Sequence, residues 1–241
     1  MQILDALIER LSFDAPVEEI RQGVFHTAVL TRHCGLAATL PKDALKQSPP
    51  LVGDAGFLLD KNAEQLSAMA YSESLLEAAI GMAAVNSLIE FDAGACLEAN
   101  ALDLIMKHGT DKKVAIVGHF PFIPKVRSAA TALWVIENNP AQGDLRADQA
   151  DEFIPQADVV AITGTSLTNH SLPQLLTLCA PRAFVIMLGD TVPLCPVLFD
   201  FGVDALCGTQ VLDAEKVLRC ISQGANFRQI RGTRRLTLLK P

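Results

Sequence analysis

The stretch DVVAITGTSLTNHSLPQLL, residues 158–176, starts as an apolar run and then turns into Thr163, Gly164, Thr165, Ser166, Thr168, Asn169, His170 and Ser171. Hydroxyls, an amide and an imidazole at the carboxyl end of a buried strand are groups that contact a ligand. Helix capping explains part of the set, because Thr168, Asn169 or Ser171 can cap a helix beginning at Leu172 with Pro173 in its first turn. It does not explain Thr163, Gly164, Thr165 and Ser166, which are therefore read as ligand-binding positions together with Asn169.

Other apolar runs end in the same way. GHFPF (118–122) contributes Gly118, His119, Phe120 and Pro121, ENNP (137–140) contributes Glu137 and Asn138, and GDTVPLCP (189–196) contributes Thr191. Glu137 follows Gly118 at the distance of a ribose-binding carboxylate in a dinucleotide fold. The loop between them has no second or third glycine, and its Pro121 and Pro124 lack the amide donors a pyrophosphate needs, so a standard NAD site is not expected.

No pair of Cys or His shows sequence-local zinc spacing. His26, His33 and Cys34 enter the search for ligands, but His33 and Cys34 are neighbours and on a strand would point to opposite faces. A transition-metal site would have to be assembled in space, from His119, His170 and Cys195 at the strand ends. The cofactor is left open, with a transition-metal ion as the candidate. No G-x-S-x-G elbow is present for nucleophilic hydrolysis.

These loops need a scaffold that opens them on one edge. From Lys112 onward, KVAIVG, ALWVIE, DVVAITG, AFVIMLG and VDALCG are near-continuous apolar runs separated by segments long enough for one helix each, the pattern of a parallel sheet buried on both faces. Ligands bind such sheets outside the carboxyl ends of the strands. The first part of the chain reads differently, with a helix to about Leu11, strand-like segments broken at Gly23, a third apolar stretch at CGLAATL, a Pro/Gly-containing loop through Gly56, and helical patterns over 62–70 and 73–90. The second of these helices puts Leu76, Ala79, Ile80, Ala83, Ala84 and Leu88 on one broad apolar face. The expected organisation is an α+β domain over 1–100 followed by an open, mostly parallel α/β domain over 101–241, with 101–111 as the connection.

The 241 residues are half hydrophobic and carry a net charge of −7. The acidic excess sits in the first 110 residues, and neither half interleaves Arg with aromatics as a nucleic-acid binder does. Arg228, Arg231, Arg234 and Arg235 read as a local basic tail, a solvated face more readily than an anion contact. The 6 cysteines include no C-x-x-C pair, and reduced thiols are expected. The amino terminus is amphipathic and no apolar run is long enough to span a membrane, so a cytoplasmic protein is expected.

The ordered set YSESLLEAAIGMAAVNSLIE, VGHFPF, VIENNP, ADVVAITGTSLTNHSLPQLL and PLCPVLFDFGVDALCGTQVLD resembles a bacterial and archaeal family whose main domain is labelled for heavy-metal chelation. The resemblance runs from about residue 71 nearly to the end, and the first part looks like the small domain that usually precedes it. It implies an enolase amino-terminal-like α+β domain joined to a Rossmann-like domain, with the site in the cleft between them. Where that family would be expected to carry Gly-Pro-Ser/Thr in the fourth loop, this chain has Gly189, Asp190 and Thr191, and the acidic residue favours a cation over an anion there.

The expected function is binding of a metal ion, metal complex or small metabolite in the interdomain cleft. The alternative is an enzyme acting on a nucleotide-like or S-adenosylmethionine-like molecule, and the sequence leaves open whether any reaction is catalysed. The expected partner is a small-molecule or metal ligand, with no nucleic acid and no membrane; a homo-oligomer is left open. Glu73 and Asn86, at the start of and within the long amino-terminal helix, are expected to reach the loops at 119–122 or 163–170 and bring the first domain into the site.

Overall fold

The computed structural model describes residues 2–47 and 51–241. After a helix at Gln2–Ile8, the chain forms a three-stranded antiparallel sheet from β1 (Glu19–Gln22), β2 (His26–Leu30) and β3 (Cys34–Ala38), in the order β1-β2-β3. Gly23 ends β1 as its position in the sequence suggests. The loop toward Gly56 contains a one-turn helix at Pro41–Ala44, and residues 48–50 of that loop lie outside the described residues.

Helices at Ala63–Ala68 and Leu75–Leu88 follow. The second differs from the one-faced helix expected, because Ala78 through Val85 are all buried and so are Ser87 and Leu88. One side of it packs on β2 and β3 and the other on the turn Met69–Tyr71 and the short helix Thr165–Thr168, so it has no solvent face to keep polar. Together these elements give the expected enolase amino-terminal-like arrangement of a small antiparallel sheet followed by helices.

The second sheet contains β4 (Lys113–Val117), β5 (Ala132–Glu137), β6 (Leu145–Arg146), β7 (Val159–Thr163), β8 (Phe184–Leu188), β9 (Ala205–Val211) and β10 (Thr233–Leu239), in the order β10-β9-β8-β7-β4-β5-β6. All neighbours are parallel except β10, which runs antiparallel to β9 along the edge. The order reverses between β4 and β7, as in Rossmann-like sheets, and this is the switch point at which such folds open a crevice. Residues 101–111, expected as a connection, are mostly a helix, Ala101–Gly109. Between β8 and β9 a 3-10 turn at Pro196–Phe201 replaces the expected helix.

The strands bury alternate residues in two different cores. Val114, Ile116, Val159, Ala161, Ile186 and Leu188 face one layer with Ile105 and Val126, from the helices Ala101–Gly109 and Ile123–Ala129. Ala115, Val160, Ile162, Val185 and Met187 face the other, which is shared with Leu172, Leu175 and the amino-terminal Leu7, Leu66, Ile80 and Val85. Apolar residues are thus needed at every strand position, which is why these runs show no polar alternation. The first part of the chain is packed into the core of the second.

Candidate functional site

Three adjacent strand ends meet at the switch point. Gly118 ends β4 with φ 111° and Gly189 follows β8 with φ 117°, backbone conformations open to glycine and strained for other residues. Between them β7 ends at Thr163 and Gly164. A cavity of about 690 Å³ opens over these ends. Thr163, Gly164 and Thr165 line it beside His119, Phe120 and Pro121, and Thr191 lines it from the next loop. Phe25 of the β1–β2 turn and His26 and Ala38 of the small sheet line it as well, so both sheets contribute to the wall.

Asp190 is the centre of the polar wall. Its side chain is 6% exposed, with Oδ2 2.9 Å from His26 Nε2 and Oδ1 accepting from Thr209 Oγ1 at 2.6 Å; Arg235 also donates to Oδ1. Burial alone raises the pKa of this carboxyl. The His26 hydrogen bond, the Arg235 charge and the Thr209 hydroxyl more than reverse that, and the group is held well below the usual carboxylate range. His26 comes from β2 and Arg235 from β10, so one buried carboxylate ties the small sheet to the far edge of the large one. The same loop is fixed twice more. Thr191 Oγ1 accepts from Ala38 N at 2.9 Å, and Asn86 Nδ2 donates to Leu36 O at 2.8 Å and Thr191 O at 3.1 Å.

Several residues singled out in the sequence stand elsewhere. Glu137 turns its Oε2 to the amide of Asn138, at 3.1 Å, and neither residue lines the cavity, which takes the ribose carboxylate away from the nucleotide reading. Asn169 Oδ1 receives Ser171 Oγ at 2.7 Å and Ser171 N at 3.2 Å, a local turn. Ser166 Oγ donates to Thr163 O at 2.7 Å. Ser166, His170 and Glu73 line a second, smaller cavity of about 230 Å³ with Ile3, Leu4 and Tyr71. Glu73 thus shares the wall of this smaller cavity with residues of the 163–170 loop, and Asn86 hydrogen-bonds the carbonyl of Thr191 in the 189–192 loop.

The proposed metal set is not brought together. The short helix Thr165–Thr168 carries the chain to the amino-terminal side, where His170, at φ 58°, has its Nε2 2.8 Å from Ala70 O. Cys195 is packed in the core beside Leu194 and Leu198, and burial pushes its thiol up. His119 alone stays at the cavity. Among the described residues no three His, Cys, Asp or Glu side chains converge. The one cysteine on the cavity wall, Cys207, has its thiol pushed up by burial to about 11, far from the thiolate a soft metal takes. The donors present do not fit a bare transition-metal ion.

His170 acts as a tether between the two parts of the chain. Replacing it with alanine should cost about 1–2 kcal/mol in urea unfolding, because it leaves the Ala70 carbonyl without its partner. An unchanged unfolding midpoint would contradict this role.

His26, Asp190, Arg228 and Arg235 were not read as ligand-contacting residues from sequence. His26 entered only as a metal ligand and Asp190 only as a departure in its loop. Arg228 and Arg235, read as a solvated tail, both line the cavity. The signal for Asp190 was an acidic residue one glycine beyond a wholly apolar strand, a position where a carboxylate must find partners.

The fold and the cavity define a Rossmann-like α/β protein with a small antiparallel-sheet part packed against the carboxyl ends of its strands. The chain belongs to the DUF364 family, whose model, described as "Putative heavy-metal chelation", matches residues 100–240; a second model with the same description, DUF4213, matches residues 4–89. An uncharacterised protein of Methanocaldococcus jannaschii is 30% identical over 171 residues, which cover 66% of this chain and 64% of that protein. The match thus spans under two thirds of that relative's length. A DUF364 protein of unknown function from Desulfitobacterium hafniense has a crystal structure that superposes with a TM-score of 0.86 at 25% identity, covering 99% of this chain and 98% of that one. Another, from Pyrococcus horikoshii, superposes with a TM-score of 0.83 at 20% identity, covering 99% and 100%. Among the described residues no helix is long and apolar enough to cross a membrane.

Proposed function

We propose that the larger cavity binds a small organic anion with a flat apolar portion, taken either free or as the organic part of a metal complex, between domains formed by residues 1–100 and 101–241. The charge of the lining carries this reading. In a chain of net charge −7, the cavity wall holds Lys125, Arg228 and Arg235, while its one carboxylate, Asp190, is already engaged by Arg235, His26 and Thr209. The acidic residue of this loop, which in the sequence favours a cation, is thus neutralised by its neighbours.

The apolar walls suit the rest of such a ligand. Phe120 and Phe122 stack with ring centroids 5.2 Å apart, and Phe25 and Phe227 are each 44% exposed at the mouth. The volume lies within the range of small-molecule sites, roughly 300–1,000 Å³. A metal ion entering as an anionic complex meets this wall favourably. A bare cation meets Lys125 and Arg228, an Arg235 already paired with Asp190, and no converging donors. The family description and the geometry agree only if the metal arrives already chelated.

The test is a thermal-shift and calorimetry panel of transition-metal ions alone, anionic metal chelates, nucleotides, S-adenosylmethionine and organic acids. Stabilisation by an anionic compound is expected, since only a ligand preferring the folded state raises the melting point. Its affinity should fall about tenfold in Arg235→Ala, about 1.4 kcal/mol. Stoichiometric binding of a bare metal ion with no response to any anion would overturn the proposal.

A further inference from the structure

His119 stands at the mouth of the cavity in a setting that its place in the fold does not require. Its side chain is 50% exposed, yet its Nδ1 lies 2.8 Å from Oδ2 of Asp144, whose own side chain is only 4% exposed. Asp144 comes from a different strand end, just before β6, and the same oxygen also accepts from Ala141 N at 3.1 Å. A buried carboxylate is costly unless it is paired, and this one is spent on an imidazole half in solvent. Surface histidines need no such partner. His33, also exposed, has no side-chain hydrogen bond among the described residues.

A carboxylate can only accept, so the bond keeps the imidazole hydrogen on Nδ1. In the neutral ring the lone pair is then on Nε2, and no hydrogen bond to Nε2 is made among the described residues. The ring cannot turn over without breaking the bond to Asp144. The other histidine of the cavity is arranged the opposite way: His26 turns Nε2 to Asp190 and has its Nδ1 buried without a partner, out of reach of a ligand. Of the two, only His119 has a free nitrogen that a ligand can reach.

We propose that His119 is the proton acceptor for a ligand bound in this cavity, with Asp144 as its positioning residue, which makes the protein an enzyme acting on an organic anion. The inference rests on the anion-binding reading above. The step is a proton transfer: the Nε2 lone pair takes a proton from an acidic O–H or C–H of the ligand, the bonding pair stays on the ligand oxygen or carbon, and the imidazolium is held against Asp144. The negative charge left on the ligand is met by Lys125 and Arg228, which line the same cavity.

Diethylpyrocarbonate probes that lone pair directly, because a neutral imidazole nitrogen attacks its carbonyl carbon and ethyl carbonate leaves. Labelling of the intact chain at pH 8, mapped by peptide mass spectrometry, should show His119 modified several-fold faster than exposed His33. Asp144→Ala should bring His119 down to the rate of His33 and leave His33 itself unchanged, which separates the loss from general misfolding. Nitrogen-15 NMR of the neutral protein should place the His119 hydrogen on Nδ1 in the wild type and redistribute it in Asp144→Ala. A wild-type His119 that reacts no faster than His33, or that carries its hydrogen on Nε2, overturns the assignment. Those readouts need no ligand, so they fail or succeed independently of the binding panel.

Discussion

Replacing Asp190 with alanine will cost the fold about 3 kcal/mol, the low end of the range for removing one partner of a buried charge pair. The low end applies because Arg235 is 41% exposed and can recover part of its solvation by turning outward. His26 has no such escape. Its side chain is 7% exposed and its other nitrogen already lacks a partner, so the variant leaves an imidazole buried with no hydrogen bond at either end. For a chain of this length the loss corresponds to a fall in melting temperature on the order of 10 °C. Because the folded-state pKa of Asp190 is depressed, its contribution is fully present above the unfolded carboxyl value, about 3.9, and is lost as pH falls through the lower folded value. Urea unfolding of wild type and Asp190→Ala should therefore show a constant gap from pH 5 to 7 that narrows below about pH 4. A gap under about 1 kcal/mol at pH 7 would mean that the carboxylate does not hold the two sheets together.

That residue also shows how far the sequence could be read. The parallel strands were legible because burial on both faces leaves an unbroken apolar run, and VAIV, VVAI and FVIML can satisfy it in few other ways. The edge strand β10 was not. In TRRLTLL only Leu236 and Thr237 are buried, and Arg235, which lines the cavity, looks like part of a basic tail until the strand order is known. The strand-end rule picked out His119, Phe120, Pro121, Thr163, Gly164, Thr165 and Thr191, which line one cavity. It misplaced His170 and Asn169, because one helical turn after Gly164 is enough to carry the chain over to the other face of the sheet. The opposite wall was beyond reach, since nothing local in FHTAVL says that His26 will meet a carboxylate 164 residues away.

The largest effect is expected from the smallest change, Gly81→Ala in the helix Leu75–Leu88. In an open helix this substitution stabilises by about 1 kcal/mol, because alanine loses less backbone entropy than glycine. Here the new Cβ would lie 1.9 Å from Ala70 N and 2.5 Å from both Ala70 Cα and Met69 C. These are backbone atoms and no side-chain rotation can clear them, so the helix must move. It cannot retreat the other way. On β3 the Cα of Gly35 is pressed against the same helix so closely that a Cβ there would lie 2.1 Å from Ala83 O and 2.3 Å from Ser87 N. The helix is thus gripped between two backbones, and separating them opens the apolar core on both sides. A loss of about 3 kcal/mol or more is expected, at and beyond the usual range for overpacking. The displacement would also reach the cavity, since Asn86 on this helix holds the carbonyls of Leu36 and Thr191 on either side of it. Gly81→Ala should therefore lower both the urea midpoint and the affinity for any anion that the binding panel identifies. A variant as stable as wild type would show that the helix and the Met69–Tyr71 turn are free to separate, and that the cavity does not depend on their contact.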